Sequence, residues 1–253
     1  MIDLIDECGK DICCLKTKKE TQKKYAVEVT RFLVEDKKDE KVTGFDVGEY
    51  IILHAPLINV LDEECHDYVC QILMKNLKGI IANQRIKKKD KILIVGLGNP
   101  NILSDALGSK VLERIEINPL SKNNNVYKFT PNIFMATGID SLDIIHMLVV
   151  WLEIDCVVLI DSLATKNVKR LGVSIQINNT GITPGSAVHG LGRKISKDTL
   201  GVPCFSIGVP LMLLAGEVVK DADKELILAQ KDVHQNLDIL AYIISRALNA
   251  IFC

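Results

Sequence analysis

Apolar and polar positions along the chain follow two alternating rhythms. Short, nearly unbroken apolar runs rich in β-branched residues occur at KILIVGL (91–97), CVVLID (156–161), VSIQI (173–177) and PCFSIGV (203–209), with a further one at YIILHAPLI (50–58). Their length and make-up predict strands buried on both faces. Between them the period changes to a helical one: Cys65, Val69, Ile72, Leu73, Leu77 and Ile80 recur along 62–83, and 105–115, 141–152 and 232–251 repeat the pattern. Strands alternating with amphipathic helices predict an α/β fold, a mostly parallel sheet with helices on both faces. In such sheets the ligand site lies outside the carboxyl ends of the strands. The lysine-rich stretch 16–24 and IKKKDK (86–91) interrupt both rhythms and predict solvated connectors.

LIVGLGNPNILSDALG (93–108) joins the first buried run to a helix and contains two glycines two apart. It is not a dinucleotide loop, because Asn101 stands where the third glycine of GxGxxG belongs, nor a Walker loop, because GK[ST] is absent. What remains is a tight turn, with Ser104 placed to cap the helix and Asp105 in its first turn. Asp161 ends the run CVVLID, at the same edge of a parallel sheet. Two carboxyls held close cannot both ionise easily, so one pKa rises and the pair supplies an acid and a base near neutral pH. Asp105 and Asp161 together therefore point to hydrolase chemistry. A second candidate region is NNTGITPGSAVHGLGRK (178–194), rich in Gly, Ser and Thr, whose main-chain N–H groups suit a peptide backbone or an oxyanion. Asn179 and Thr180 are its plausible substrate contacts, while Ser186 has no evident base beside it.

Composition narrows the class. With 253 residues, 48% of them hydrophobic, and no internal repeat or linker, one domain over 1–253 is expected. A formal net charge of -1 gives no bias toward nucleic acid. No apolar run reaches the length of a membrane span and no signal segment is visible, so a cytoplasmic chain without membrane contact is expected. The eight cysteines form no CxxC pair and several lie in apolar company, which reads as buried free thiols. EECH (63–66) superficially suggests a metal ligand set, but on an amphipathic helix it reads as polar groups facing solvent. No metal site or cofactor is expected.

VGLGNPNILSDALG, MATGIDSLDII, VVLIDSLATKNVKRL and above all IQINNTGITPGSAVHGLGRKISKDTLGVPCFSIGVP resemble the germination proteases of spore-forming bacteria, from about Lys91 to Pro210 and again in the last helix. The resemblance implies an endopeptidase that degrades small acid-soluble spore proteins at germination, with Asp105 and Asp161 as the catalytic pair. Gly98, Asn99, Asn179, Thr180, Gly181, Gly185 and Ser186 are the candidate substrate contacts of this chain, and the resemblance implies a fold like that of hydrogenase-maturation proteases. It further implies a zymogen with a removable segment of about 1–22, a homotetramer, and residence in the spore core or forespore. Which aspartate is acid and which is base stays open. The chain departs from the family's pattern at Asn179, Thr183, the GVPLMLLA stretch and a short connection over 218–230. Those departures keep two alternatives in view: a catalytically altered or regulatory homologue, and a maturation-type protease acting on another protein.

Overall fold

A computed structural model of the chain describes residues 3–9, 12, 15–59, 62–87, 89–117, 125–131, 138–185, 192–217 and 226–253. Its centre is one mixed sheet. In chain order the strands are β1 (Lys16–Gln22), β2 (Val27–Val34), β3 (Gly48–His54), β4 (Ile92–Gly96), β5 (Val126–Phe129), β6 (Cys156–Thr165), β7 (Ser174–Asn178), β8 (Cys204–Leu214) and β9 (Ile227–Leu228). They are arranged β1-β2-β3-β7-β8-β6-β4-β5, with β9 on β8. Strands β5, β4, β6 and β8 pair in parallel, whereas β1, β2, β3 and β7 pair antiparallel and β7 joins β8 antiparallel. The α/β class is thus as expected. The parallel order is confined to one half, because the other half is built from the hairpin β1–β2 and its neighbours.

Helices α1 (Lys37–Thr43), α2 (Glu63–Asn83), α3 (Leu107–Glu113), α4 (Ser141–Leu152), α5 (Lys197–Leu200) and α6 (Val233–Phe252) complete the fold. One face of the sheet is covered by α2, α3 and α6, whose Leu73, Leu77, Val111, Leu240 and Ile244 close over Val158, Ile160, Ile177 and Ile207. The opposite face is covered in two patches. Leu142, Ile145 and Val149 of α4 pack on Leu93, Val95, Val157 and Leu159, and Ile5 and Leu15 pack on Phe32, Tyr50 and Ile52. Between these two patches the sheet face is polar.

Three expectations fail for physical reasons. Residues 16–22 are no connector: they form β1, in register with all of Val27–Leu33 of β2. Alternation is absent because an edge strand with both faces wet needs none, and its lysines pair with Glu35, Glu20 and Glu28. His66, expected toward solvent, is buried, and its Nε2 lies 3.0 Å from the Ile58 carbonyl oxygen. Strand β6 does not end at Asp161 but continues to Thr165 beside Val209–Leu213 of β8. Ladder pairing outweighs the poor strand preference of aspartate. Among the described residues, Cys8, Cys65, Cys70, Cys156, Cys204 and Cys253 are free thiols, and no helix is long and apolar enough to cross a membrane.

Candidate active site

Asp105 is placed by a backbone crossing. Gly96 at the end of β4 and Gly108 in α3 meet main chain to main chain, since a Cβ on Gly108 would lie 2.4 Å from the Leu97 carbonyl oxygen. Only glycine at both positions allows the strand and helix to approach this closely. Gly98 then turns with φ +90°, and a Cβ there would strike the Asp105 carbonyl oxygen at 2.1 Å. The turn delivers the Asn99 N–H to Asp105 Oδ2 at 2.8 Å. Asp105 closes a short 3-10 turn, Leu103–Asp105, and α3 starts only at Leu107 with no side-chain cap. The expected cap at Ser104 is therefore not made. The aspartate is held by the loop before it rather than by the helix after it.

Asp161 lies mid-strand and is 5% exposed. Alternation along β6 sets it on the face of Val157 and Leu159, opposite α2, α3 and α6. The Ser162 N–H donates to Asp161 Oδ1 at 2.9 Å. Ser162 Oγ accepts from the Leu107 N–H at 3.4 Å, which ties the turn of Asp105 to the strand of Asp161. Burial pushes the Asp161 carboxyl well above the usual carboxylate range, and the charges of Asp105 and Asp3 raise it further. Burial also raises Asp105, to about 6, against the opposing hydrogen bond from Asn99. The two carboxyls are thus held unequally, with Asp161 biased toward its protonated form more strongly than Asp105. That combination can activate water on one side of a carbonyl and supply a proton on the other.

The sheet face beside Asp161 carries Gln176, Asn178 and Ser206, all nearly buried. With Tyr50, Thr180 and Lys194 they line a cavity of about 250 Å³. Lys194 pairs with Asp46, and burial lowers its pKa. The segment 3–7 lies across this face. The Asp3 carboxylate accepts from the Ala164 N–H at 2.8 Å, and Glu7 accepts from the Lys166 N–H at 2.9 Å and from the Thr165 hydroxyl. Asp6 pairs with Arg170.

Of the residues singled out from the sequence, Gly98, Asn99, Asp105 and Asp161 come together, and Thr180 and Gly181 line the adjoining cavity. The Asn179 side-chain oxygen accepts from the Glu49 N–H at 2.9 Å, joining β7 to β3. Gly185 adopts φ +67° with open space around it and is not part of the cavity wall. Ser186 lies outside the described residues. Sequence reasoning missed Asp3, Gln176, Asn178, Ser206 and Lys194. The alternation Ser174, Gln176, Asn178 against Ile175 and Ile177 was the available signal, marking a strand with one polar face. Among the described residues no group of three or more His, Cys, Asp or Glu side chains is placed to hold a metal ion.

The chain resembles known proteins over most of its length. The family model described as germination protease matches residues 5–229. A germination protease of Caldanaerobacter subterraneus subsp. tengcongensis is 35% identical over 211 residues, covering 79% of this chain and 64% of the relative. Those of Bacillus subtilis and Clostridium tetani are 35% and 34% identical, covering 73% and 81% of this chain and 53% and 68% of the relatives. The chain thus spans about half to two thirds of the length of these relatives. Among solved structures, a [NiFe] hydrogenase maturation protease from Thermococcus kodakarensis KOD1 aligns with 70% of this chain and 98% of its own, at 20% identity and a TM-score of 0.40. With residues 5–229 matched by one family model, the chain belongs to the germination protease family.

Proposed function

We propose that the chain is an endopeptidase that hydrolyses small acid-soluble spore proteins during germination, in the spore core or forespore, with Asp105 and Asp161 activating water. The observation that carries this reading is the unequal environment of the two carboxyls: Asp161 is buried and raised well above the usual range, while Asp105 is raised to about 6. Asp105, the weaker-shifted and more accessible of the two, is the base that takes a proton from the attacking water. Asp161 is the acid that polarises the scissile carbonyl and then protonates the leaving amine. The products are two peptides, and no acyl-enzyme forms. Digestion of purified small acid-soluble spore protein, followed by product mass, tests the activity directly. Intact substrate after prolonged incubation with the chain cut between Glu7 and Lys16 would favour the regulatory homologue.

Two further features belong to this reading. The segment 3–7, lying across the face beside Asp161, supports an inhibitory segment that is removed on activation. Its removal point falls between Glu7 and Lys16, because a cut near residue 22 would also strip β1 from β2. An oligomer is supported by the outer face of α4, where Met147, Val150 and Trp151 are 61%, 65% and 76% exposed. Apolar groups this exposed along one helix mark an interaction surface.

A further inference from the structure

Gln176 lies on β7, nearly buried, and its side-chain amide is used at both ends by main chain of another segment. Its Oε1 accepts from the Ile5 N–H at 2.9 Å and its Nε2 donates to the Asp3 carbonyl oxygen at 2.8 Å. The two bonds embrace Leu4 through the peptide groups on either side of it. A carboxamide offers one donor face and one acceptor, as a peptide unit does, so it grips a main chain without reading the side chain. Leu4 and Ile5 are wholly buried in this seat.

The seat has a fixed relation to the aspartates. Gln176 stands opposite Gly208, and Gly208 opposite Asp161, across three adjacent strands. Two strand spacings amount to roughly 10 Å, a span an extended chain covers in about three residues. The floor between them is Gly208, and a Cβ there would come within 2.5 Å of Leu163 Cδ1. A glycine therefore leaves the floor low, with Leu163 leaning over it.

We propose that Gln176 is the main-chain clamp of a peptide-binding groove, holding one residue of an extended polypeptide substrate by its flanking peptide groups about three residues from the scissile bond. Asp3–Ile5 occupies that seat as an internal stand-in that substrate must displace. This rests on the peptidase reading above and adds a positioning residue to it. Gln176 touches no reacting atom, so its contribution lies in substrate affinity.

The test uses the full chain carrying Leu4→Asp and Ile5→Asp, which empties the seat, and a fluorescein-labelled peptide copying residues 3–7. Fluorescence anisotropy is expected to show binding, weakened about 10- to 30-fold by Gln176→Leu, in line with two lost hydrogen bonds. Gln176→Glu keeps the shape and the acceptor but loses the donor, and is expected to fall between the two. With protein substrate, Gln176→Leu raises KM by about the same factor and changes kcat less than about threefold. No binding to the emptied seat, or equal binding with and without the Gln176 carboxamide, overturns the clamp. Peptide binding by a chain that cleaves nothing overturns the peptidase reading and leaves the clamp standing.

Discussion

At the scale of single residues, the decisive property is that both aspartates are raised, which makes them costly to the fold. Asp105 moves from the usual 3.8 to about 6. Between those values the folded chain holds more protons than the unfolded one, so stability falls as pH rises through that window and the full cost persists above it. Asp105→Asn is therefore expected to raise the melting temperature at pH 8, by up to about 3 kcal/mol of stability, and to leave it nearly unchanged at pH 4. An earlier melt at pH 8 would show instead that the carboxylate stabilises the start of α3. Cleavage is expected to fall by orders of magnitude in Asp105→Asn and Asp161→Asn alike, with the double variant hardly worse, as residues acting as one unit require. The pH profile of kcat/KM is expected to rise through about 6, where Asp105 ionises, and to decline at higher pH as Asp161 loses its proton. A profile flat from pH 5 to 9 removes the acid–base assignment. Burial pushes the Cys204 thiol up to about 12 and raises Cys156 as well. Iodoacetamide is accordingly expected to leave activity intact, and complete loss on alkylation of a single cysteine contradicts a water-activating mechanism.

At the scale of elements, the glycine turn between β4 and α3 does the positioning. Gly98→Ala forces a Cβ into the Asp105 carbonyl at a positive φ, so it is expected to abolish cleavage and to cost at least ~2 kcal/mol. Gly201→Ala, at φ +77° with open space and away from the cavity, provides the control: a loss of about 1 kcal/mol and unchanged activity. Equal effects of the two substitutions on activity would disconnect the turn from the site. The sequence made this loop legible, because two glycines after a buried run admit few conformations. It also disclosed the long helices α2, α4 and α6 through their period, and the buried strands through their apolar runs. It concealed β1, whose lysines and threonines face water on both sides, and the true end of β6, where pairing with β8 carries an aspartate into the ladder. Most of the wall around Asp161 was hidden for another reason. Asp3 and Tyr50 lie more than a hundred residues from Gln176 and Ser206, and only the order β3-β7-β8-β6 brings their neighbourhood together.

At the scale of the whole molecule, the oligomer reading makes an optical expectation, because Trp151 is the chain's single tryptophan and lies on the exposed face of α4. Its emission is expected to shift to the blue as concentration rises through the micromolar range, in step with the mass from light scattering. A monomer mass with unchanged emission removes the oligomer and leaves the peptidase reading untouched. A last consequence comes from β8, the strand at which parallel order gives way to antiparallel. Its partners β6 and β7 precede it in sequence, β7 also needs β3 from more than a hundred residues earlier, and Gly208 completes the line from Asp161 to Gln176. Contacts of such long range form slowly. The antiparallel half of the sheet, which carries Gln176 on β7, is thus expected to be completed late. Until that half is in place, the two aspartates are expected to stand without the Gln176 side of the groove. On the peptidase reading, competence to grip an extended polypeptide is therefore expected to arrive late, when few of the chain's own segments remain extended.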